Sequence, residues 1–217
     1  MKRVFFFLIF NLSLSAAYSQ SEVIEDYHYL FPEFTQGVVL MKSGTKNNAL
    51  LNYNLLTEEM VFEDKGKKFS LGKEEQELVD TVFIKNRKFF KLNNTFIEFI
   101  YHSKFDLYAE HKCSVKQPGK PAGYGGTSET SAITSYSSYL SGGLVYELKL
   151  PNGYETKPCN YYWLKKNGGL NKFMNMRQLM KLYDDKEDLF KAYIKKNEVI
   201  FNNQESMVQL IKYLETN

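Results

Sequence analysis

Few residues in this chain have side chains that could do chemistry, and they are scattered along it. His102, His111 and Cys113 carry metal-ligating atoms, and His111 and Cys113 are expected on one strand face because they are two residues apart. Asp106 and Glu110 are expected on the opposite face. A metal site needs three or four convergent ligands, so the sequence predicts neither a metal site nor a bound cofactor.

Carboxylates and hydroxyls form no recognisable catalytic pattern either. Glu58 and Glu98 could serve as a pair for glycoside hydrolysis, but their separation depends on the fold. Ser128, Ser131 and Ser135 lie in no motif that would activate a nucleophile. The sequence therefore predicts no catalytic residue.

Two cysteines, Cys113 and Cys159, are the only ones in the chain. In an exported protein such a pair is expected to form a disulfide. The bond would close a loop of about 47 residues and stabilise the fold by ~4 kcal/mol on the entropic model. Two buried thiols are the alternative.

Residues 114–143 interrupt the surrounding pattern with glycine, proline, serine and threonine. A loop of this length is usually a binding loop or a flexible insert. Tyr124, Tyr136 and Tyr139 are the candidate binding residues, since tyrosine has an apolar ring and a polar tip. A loop that binds nothing remains the alternative.

The stretch from 37 to 112 is predicted to consist of short β-strands. Apolar and polar residues alternate there, and turn residues follow every eight to a dozen positions, as at Asp64–Lys67, Lys85–Asn86 and Ser103–Lys104. Such short connections require antiparallel neighbours. Alternation resumes from Leu144 to Lys165.

Helical periodicity begins at Asn175, where Asn175 and Asn203 are expected N-caps. We therefore predict a mainly β (α+β) fold. An antiparallel meander of eight to ten strands would form an open barrel or sandwich, with two or three C-terminal helices packed on it. The predicted domains are a β domain over 20–168, including the insert, and a helical segment over 169–217.

Residues 1–19 have the features of a signal peptide: Lys2 and Arg3, an apolar run, then Ala17-Tyr18-Ser19. The protein is therefore expected to be exported to the periplasm or the cell exterior, with no transmembrane segment. Lys2 and Arg3 supply two charges of the formal net +3. The rest of the chain is nearly neutral, so nucleic acid is not an expected partner.

The residues Leu51-Asn52-Tyr53-Asn54, followed by Thr57 and Glu59-Met60-x-Phe62, resemble a pattern that recurs in small secreted β-rich proteins of Gram-negative bacteria. The stretch 123–128 and the lysine-rich tail are similar to the same group. The resemblance implies export and a β-rich fold, and it implies no catalytic residues.

Three classes of function are open from the sequence. The first is a non-catalytic binding module whose partner is a protein or a component of the cell envelope. The second is an enzyme acting on envelope glycan or peptide. The third is a structural envelope protein whose basic helices, rich in lysine between Lys165 and Lys196, contact an anionic surface.

Overall fold

The structure is a computed structural model that describes residues 28–116, 120–121, 127–128 and 154–217. Ten strands form one antiparallel sheet, in the spatial order β14-β13-β8-β7-β6-β5-β1-β2-β3-β4. Their bounds are β1 (Thr35–Met41), β2 (Lys46–Asn54), β3 (Glu59–Asp64), β4 (Lys67–Ser70), β5 (Val79–Ile84), β6 (Arg87–Leu92), β7 (Thr95–His102), β8 (Asp106–Glu110), β13 (Tyr161–Lys166) and β14 (Gly169–Phe173).

Two further strand pairs, four α-helices and a 3-10 turn at Asp184–Lys186 complete the described elements. The pairs are β9 (Cys113–Lys116) with β12 (Glu155–Pro158), and β10 (Lys120–Pro121) with β11 (Thr127–Ser128). The helices are α1 (Lys73–Leu78), α2 (Met176–Leu182), α3 (Glu187–Lys196) and α4 (Gln204–Thr216). The mainly β fold with C-terminal helices is confirmed. The sheet does not close, because β14 and β4 are its two edges.

Tight turns set most of the strand order, as the sequence predicts. Lys65 and Gly66 between β3 and β4 both have positive φ, at 51° and 76°. Asn167 and Gly168 between β13 and β14 also have positive φ, at 54° and 77°. Two-residue loops of this conformation match the twist of the strands that they join.

One step of the predicted meander is wrong, because β4 and β5 are not neighbours. After β4 the chain forms α1, and β5 then pairs with β1 on the side away from β2, with Val39 opposite Val82. Gln76 of α1 is buried, and its side-chain amide donates to the carbonyl of Leu71 at 2.7 Å. The charged run Glu74–Glu77 is therefore one short helix that redirects the chain.

The predicted start of the helical segment at 169 is also too early. Residues Gly169–Phe173 form β14, which pairs with β13 from Tyr162–Phe173 to Lys166–Gly169. Helix begins only at Met176, after the N-cap Asn175, whose side chain accepts from the Gln178 amide. The predicted cap at Asn203 is confirmed likewise, since its side chain accepts from the Ser206 amide.

The hydrophobic core lies on one face of the sheet and consists of two clusters. The first joins β1, β2, β3, β5, β6, β7 and β9 to the segment before β1; its buried members are Phe31, Val39, Leu51, Tyr53, Leu55, Leu56, Met60, Val79, Val82, Ile84, Phe89, Phe96, Cys113 and Val115. The second joins β8, β13 and β14 to the C-terminal helices; its buried members are Leu107, Ala109, Tyr162, Leu164, Phe173, Leu179, Tyr183, Phe190, Met207, Leu210, Ile211 and Leu214. No helix within the described residues is both long and apolar enough to span a bilayer.

Candidate binding surface

An interior cluster of polar side chains lies on the core face of the sheet. It consists of Arg87 on β6, Glu98 on β7, His111 after β8, and Gln204 at the start of α4. Arg87 forms two bonds to the Glu98 carboxylate, at 2.5 and 2.6 Å, and His111 Nε2 lies 2.7 Å from Glu98 Oε2. Gln204 Nε2 donates to the same oxygen at 2.9 Å. The cluster therefore ties α4 to the sheet.

The environment of Glu98 keeps its carboxylate charged. Burial alone would raise its pKa, since the side chain is only 5% exposed. Hydrogen bonds from His111 and Arg87, together with their charges, outweigh burial and lower the pKa to about 2. A carboxylate with this many partners stabilises the fold and has no proton to donate at neutral pH.

The residues considered as metal ligands do not converge. His111 belongs to the interior cluster, whereas His102 is exposed and its Nδ1 lies 2.6 Å from Asp106 Oδ1. Within the described residues, no three His, Cys, Asp or Glu side chains are placed to hold a metal ion. The carboxylate that does contact His111 is that of Glu98, on the strand before β8. The spacing of residues in the sequence did not predict this contact.

The opposite face of the sheet carries six half-buried aromatic side chains, which we call the aromatic face. They are Phe83, Phe90, Phe99, Tyr108, Tyr161 and Trp163. Alternation along each strand places them away from the two core clusters, and none of them belongs to either cluster.

Strand register aligns most of the aromatic face in one row across the sheet. Phe83 is opposite Lys88 and Lys88 is opposite Phe99. The row continues through Tyr108 and Trp163 and ends at Lys172 of β14. Residues in such a row are cross-strand neighbours, so their side chains adjoin.

Ring contacts hold the middle of the aromatic face together. Phe99 and Tyr108 have ring centroids 5.6 Å apart at 67°, and Phe90 and Tyr108 are 6.3 Å apart at 84°. Edge-to-face pairs of this kind fix ring orientation beyond what area burial alone achieves. Tyr108 is therefore held from two sides.

Glu110 anchors the end of the aromatic face that includes Trp163. Its side chain is 3% exposed; it accepts from Trp163 Nε1 at 2.7 Å and pairs with Lys172 at 2.7 Å and Lys112 at 3.0 Å. Burial would raise the pKa of Glu110, but these partners lower it overall. Lys172 Nζ also lies 5.0 Å from the Trp163 ring centroid and 4.8 Å from that of Tyr161. The two rings are thus fixed before any ligand arrives.

The carboxylates proposed as a hydrolytic pair are not together. Glu58 pairs with Lys112 at 2.8 Å, near Glu110, while Glu98 belongs to the interior cluster with Arg87 and His111. The two acids therefore have separate ion-pair partners.

The two cysteines lie on adjacent segments as free thiols. Cys113 is opposite Pro158 in the β9–β12 pair, and the Cys159 amide donates to the Lys112 carbonyl at 2.9 Å. Burial raises the pKa of Cys113 to about 12 and also raises that of Cys159. The disulfide remains a prediction.

The tyrosines selected from the sequence, Tyr124, Tyr136 and Tyr139, lie outside the described residues, as do Ser131 and Ser135. Of the predicted insert, 114–116 belong to β9, and Lys120–Pro121 (β10) pair with Thr127–Ser128 (β11). The aromatic face was not predicted as a site, although adjacent apolar pairs such as Phe89-Phe90 indicate a strand that is apolar on both faces.

Comparison with known proteins gives no match: no family model, no curated protein and no solved structure is similar to this chain.

Proposed function

We propose that this protein is an exported, non-catalytic binding module of the cell envelope, and that the aromatic face is its binding surface. One observation carries the proposal: six half-buried aromatic side chains adjoin on the sheet face that contributes nothing to the two core clusters. Large apolar side chains on a surface without a packing role mark interaction sites in many proteins.

The rigidity of the surface supports the same proposal. Trp163 is held by Glu110, and Tyr108 is held by Phe90 and Phe99. A surface whose side chains are already ordered loses little conformational entropy on binding, which favours affinity. The proposal includes export by residues 1–19 and a Cys113–Cys159 disulfide at the base of the insert.

Trp163 is the only tryptophan of the chain, so its fluorescence reports on this surface. We expect at least one class of envelope component, among peptidoglycan fragments, surface glycans and peptides, to change that fluorescence in a saturable way. Replacement Tyr108→Ala should weaken the binding about tenfold, as loss of a stacking ring does elsewhere.

The matched control is Tyr193→Ala, which removes a partly buried ring that contacts Tyr213 between helices, on the core side of the sheet. It should leave binding unchanged. If calorimetry gives equal affinities for the wild type and Tyr108→Ala, or if no component binds, the aromatic face is not the binding surface.

A further inference from the structure

The row of side chains on the aromatic face is long and straight enough for an extended ligand to lie along it. From Phe83 on β5 to Trp163 on β13 it crosses four strand spacings, about 19 Å at ~4.8 Å each. The row runs perpendicular to the strands. A linear polymer lying along it would contact one side chain from each strand in turn.

This direction disfavours a peptide. An extended peptide gains affinity by adding a strand to a sheet edge, where backbone N–H and C=O groups are available. On the face, the backbone groups of β6, β7 and β8 are already used in the ladder. The ligand must therefore be recognised through side chains, by rings that pack on its apolar surface and by charges.

The charges on the aromatic face that can meet a ligand are positive. Lys88 lies within the row and is exposed, and Lys165 is exposed two residues after Trp163, whereas Lys172, which ends the row, is paired with Glu110. Both neighbouring acids have cationic or polar partners: Glu110 is buried among Lys172, Lys112 and Trp163, and Asp106 contacts His102. The surface is thus complementary to negative charge.

The spacing of those charges distinguishes between polyanions. Three uncharged side chains, Phe99, Tyr108 and Trp163, separate Lys88 from Lys172 along the row. A nucleic acid strand, with a phosphate at every nucleotide, needs a basic groove along its whole path. A polysaccharide needs fewer basic side chains along its path, because each pyranose ring has a C–H face that packs on an aromatic ring while its hydroxyl groups stay in water.

We propose that the aromatic face binds an acidic polysaccharide, with sugar rings packed along Phe99, Tyr108 and Trp163 and uronate carboxylates paired with the exposed Lys88 and Lys165. This inference rests on the proposed function and specifies its ligand class. Lysine suits the role because its ammonium group on a flexible stem tolerates variation in carboxylate position.

The experiment titrates the full protein with oligomers of three uronate polymers, namely polygalacturonate, alginate and hyaluronate, and follows Trp163 fluorescence and calorimetric heat. At least one should bind. For that polymer Tyr108→Ala should weaken binding about tenfold. Lys88→Gln should weaken it about threefold and reduce its salt dependence, as loss of one exposed ionic contact does. Lys195→Gln, which replaces an exposed lysine of α3, is the matched control and should change neither quantity.

The methyl-esterified form of the bound polymer tests the charge directly, and it should bind more weakly than the acid. Equal binding of the ester, tighter binding of an oligothymidylate, or no binding of any of the three polymers overturns the inference. A neutral glycan or a peptide that binds in a Tyr108-dependent way overturns it too, but leaves the proposed function standing. If nothing in either panel binds, both proposals fail.

Discussion

Glu98 and Glu110 are two almost fully buried carboxylates on neighbouring strands, and they belong to opposite faces of the sheet. Glu98 binds Arg87 and His111 beside the core, whereas Glu110 binds lysines and Trp163 on the aromatic face. In both, hydrogen bonds and nearby cations outweigh burial, so the pKa falls. Neither has the raised pKa that a general acid requires, which favours a structural role for each.

Replacement Glu98→Gln should destabilise the protein by about 3–5 kcal/mol at neutral pH, because Arg87 would be left without its carboxylate in a partly buried site. Urea denaturation measures this loss. The folded-state pKa of Glu98, about 2, is below its ordinary value of 4.5. The contribution of this carboxylate to the stability of the fold is therefore complete above about pH 4.5. It is lost as the pH falls towards 2, and the variant should lack this part of the acid-induced decline.

Glu77→Gln is the control for that prediction. Glu77 also pairs with a cation, Lys91, at 2.6 Å, but its side chain is 67% exposed. The stability of the Glu77→Gln variant at neutral pH should therefore remain close to that of the wild type. If Glu98→Gln proves equally mild, the interior cluster does not contribute to the stability of the fold.

The interior cluster could be anticipated only in part from the sequence. Glu98 shares its strand face with Phe96, and a charge on a buried face indicates a buried partner. The partners themselves were not predictable, because Arg87 comes from another strand, His111 follows β8, and Gln204 comes from a helix more than a hundred positions away. Their meeting depends on the whole sheet.

Elements joined by short turns were predictable, and elements paired at long range were not. The β5–β6 and β7–β8 pairings were predictable from the turn residues that lie between runs of alternating apolar and polar residues. Predicting the β1–β5 pair would have required the position of α1 in the fold, and a short run of charged residues does not indicate that position. β14 was missed because Gly169–Phe173 has one buried residue in five and so shows no clear alternation.

The β9–β12 pair leads to a prediction about the disulfide. The backbone of this pair holds Cys113 and Cys159 on adjoining segments, which is the basis for predicting that they can be oxidised. In oxidised protein, thiol titration in denaturant should detect no free cysteine. Reduction should lower stability by up to ~4 kcal/mol and so lower the melting temperature.

The double replacement Cys113→Ser and Cys159→Ser is the matched control, and its melting temperature should not respond to reductant. Two titratable thiols in protein isolated under oxidising conditions would contradict the disulfide. They would leave the β9–β12 pairing unaffected, since that pairing rests on backbone bonds.

At the scale of the whole molecule, one continuous sheet serves two core clusters. The strands β6, β7 and β8 are hydrogen-bonded neighbours between the two clusters, and the interior cluster of Arg87, Glu98, His111 and Gln204 lies at their junction. Unfolding either cluster alone would break the strand pairs and ion pairs at that junction. The described sheet and helices are therefore expected to unfold as one cooperative unit.

Leu51→Ala tests this cooperativity. Leu51 is fully buried in the first cluster, on β2, six strand positions from Trp163 on β13. The replacement should cost about 2–5 kcal/mol, as a cavity in a packed core does. Because the sheet is continuous, the urea midpoint read from Trp163 fluorescence should fall together with the midpoint from far-ultraviolet circular dichroism. Leu210→Ala, in the second cluster, should shift both midpoints in the same way. A Trp163 midpoint that Leu51→Ala leaves unchanged, while the dichroism midpoint falls, would show instead that the two clusters unfold independently.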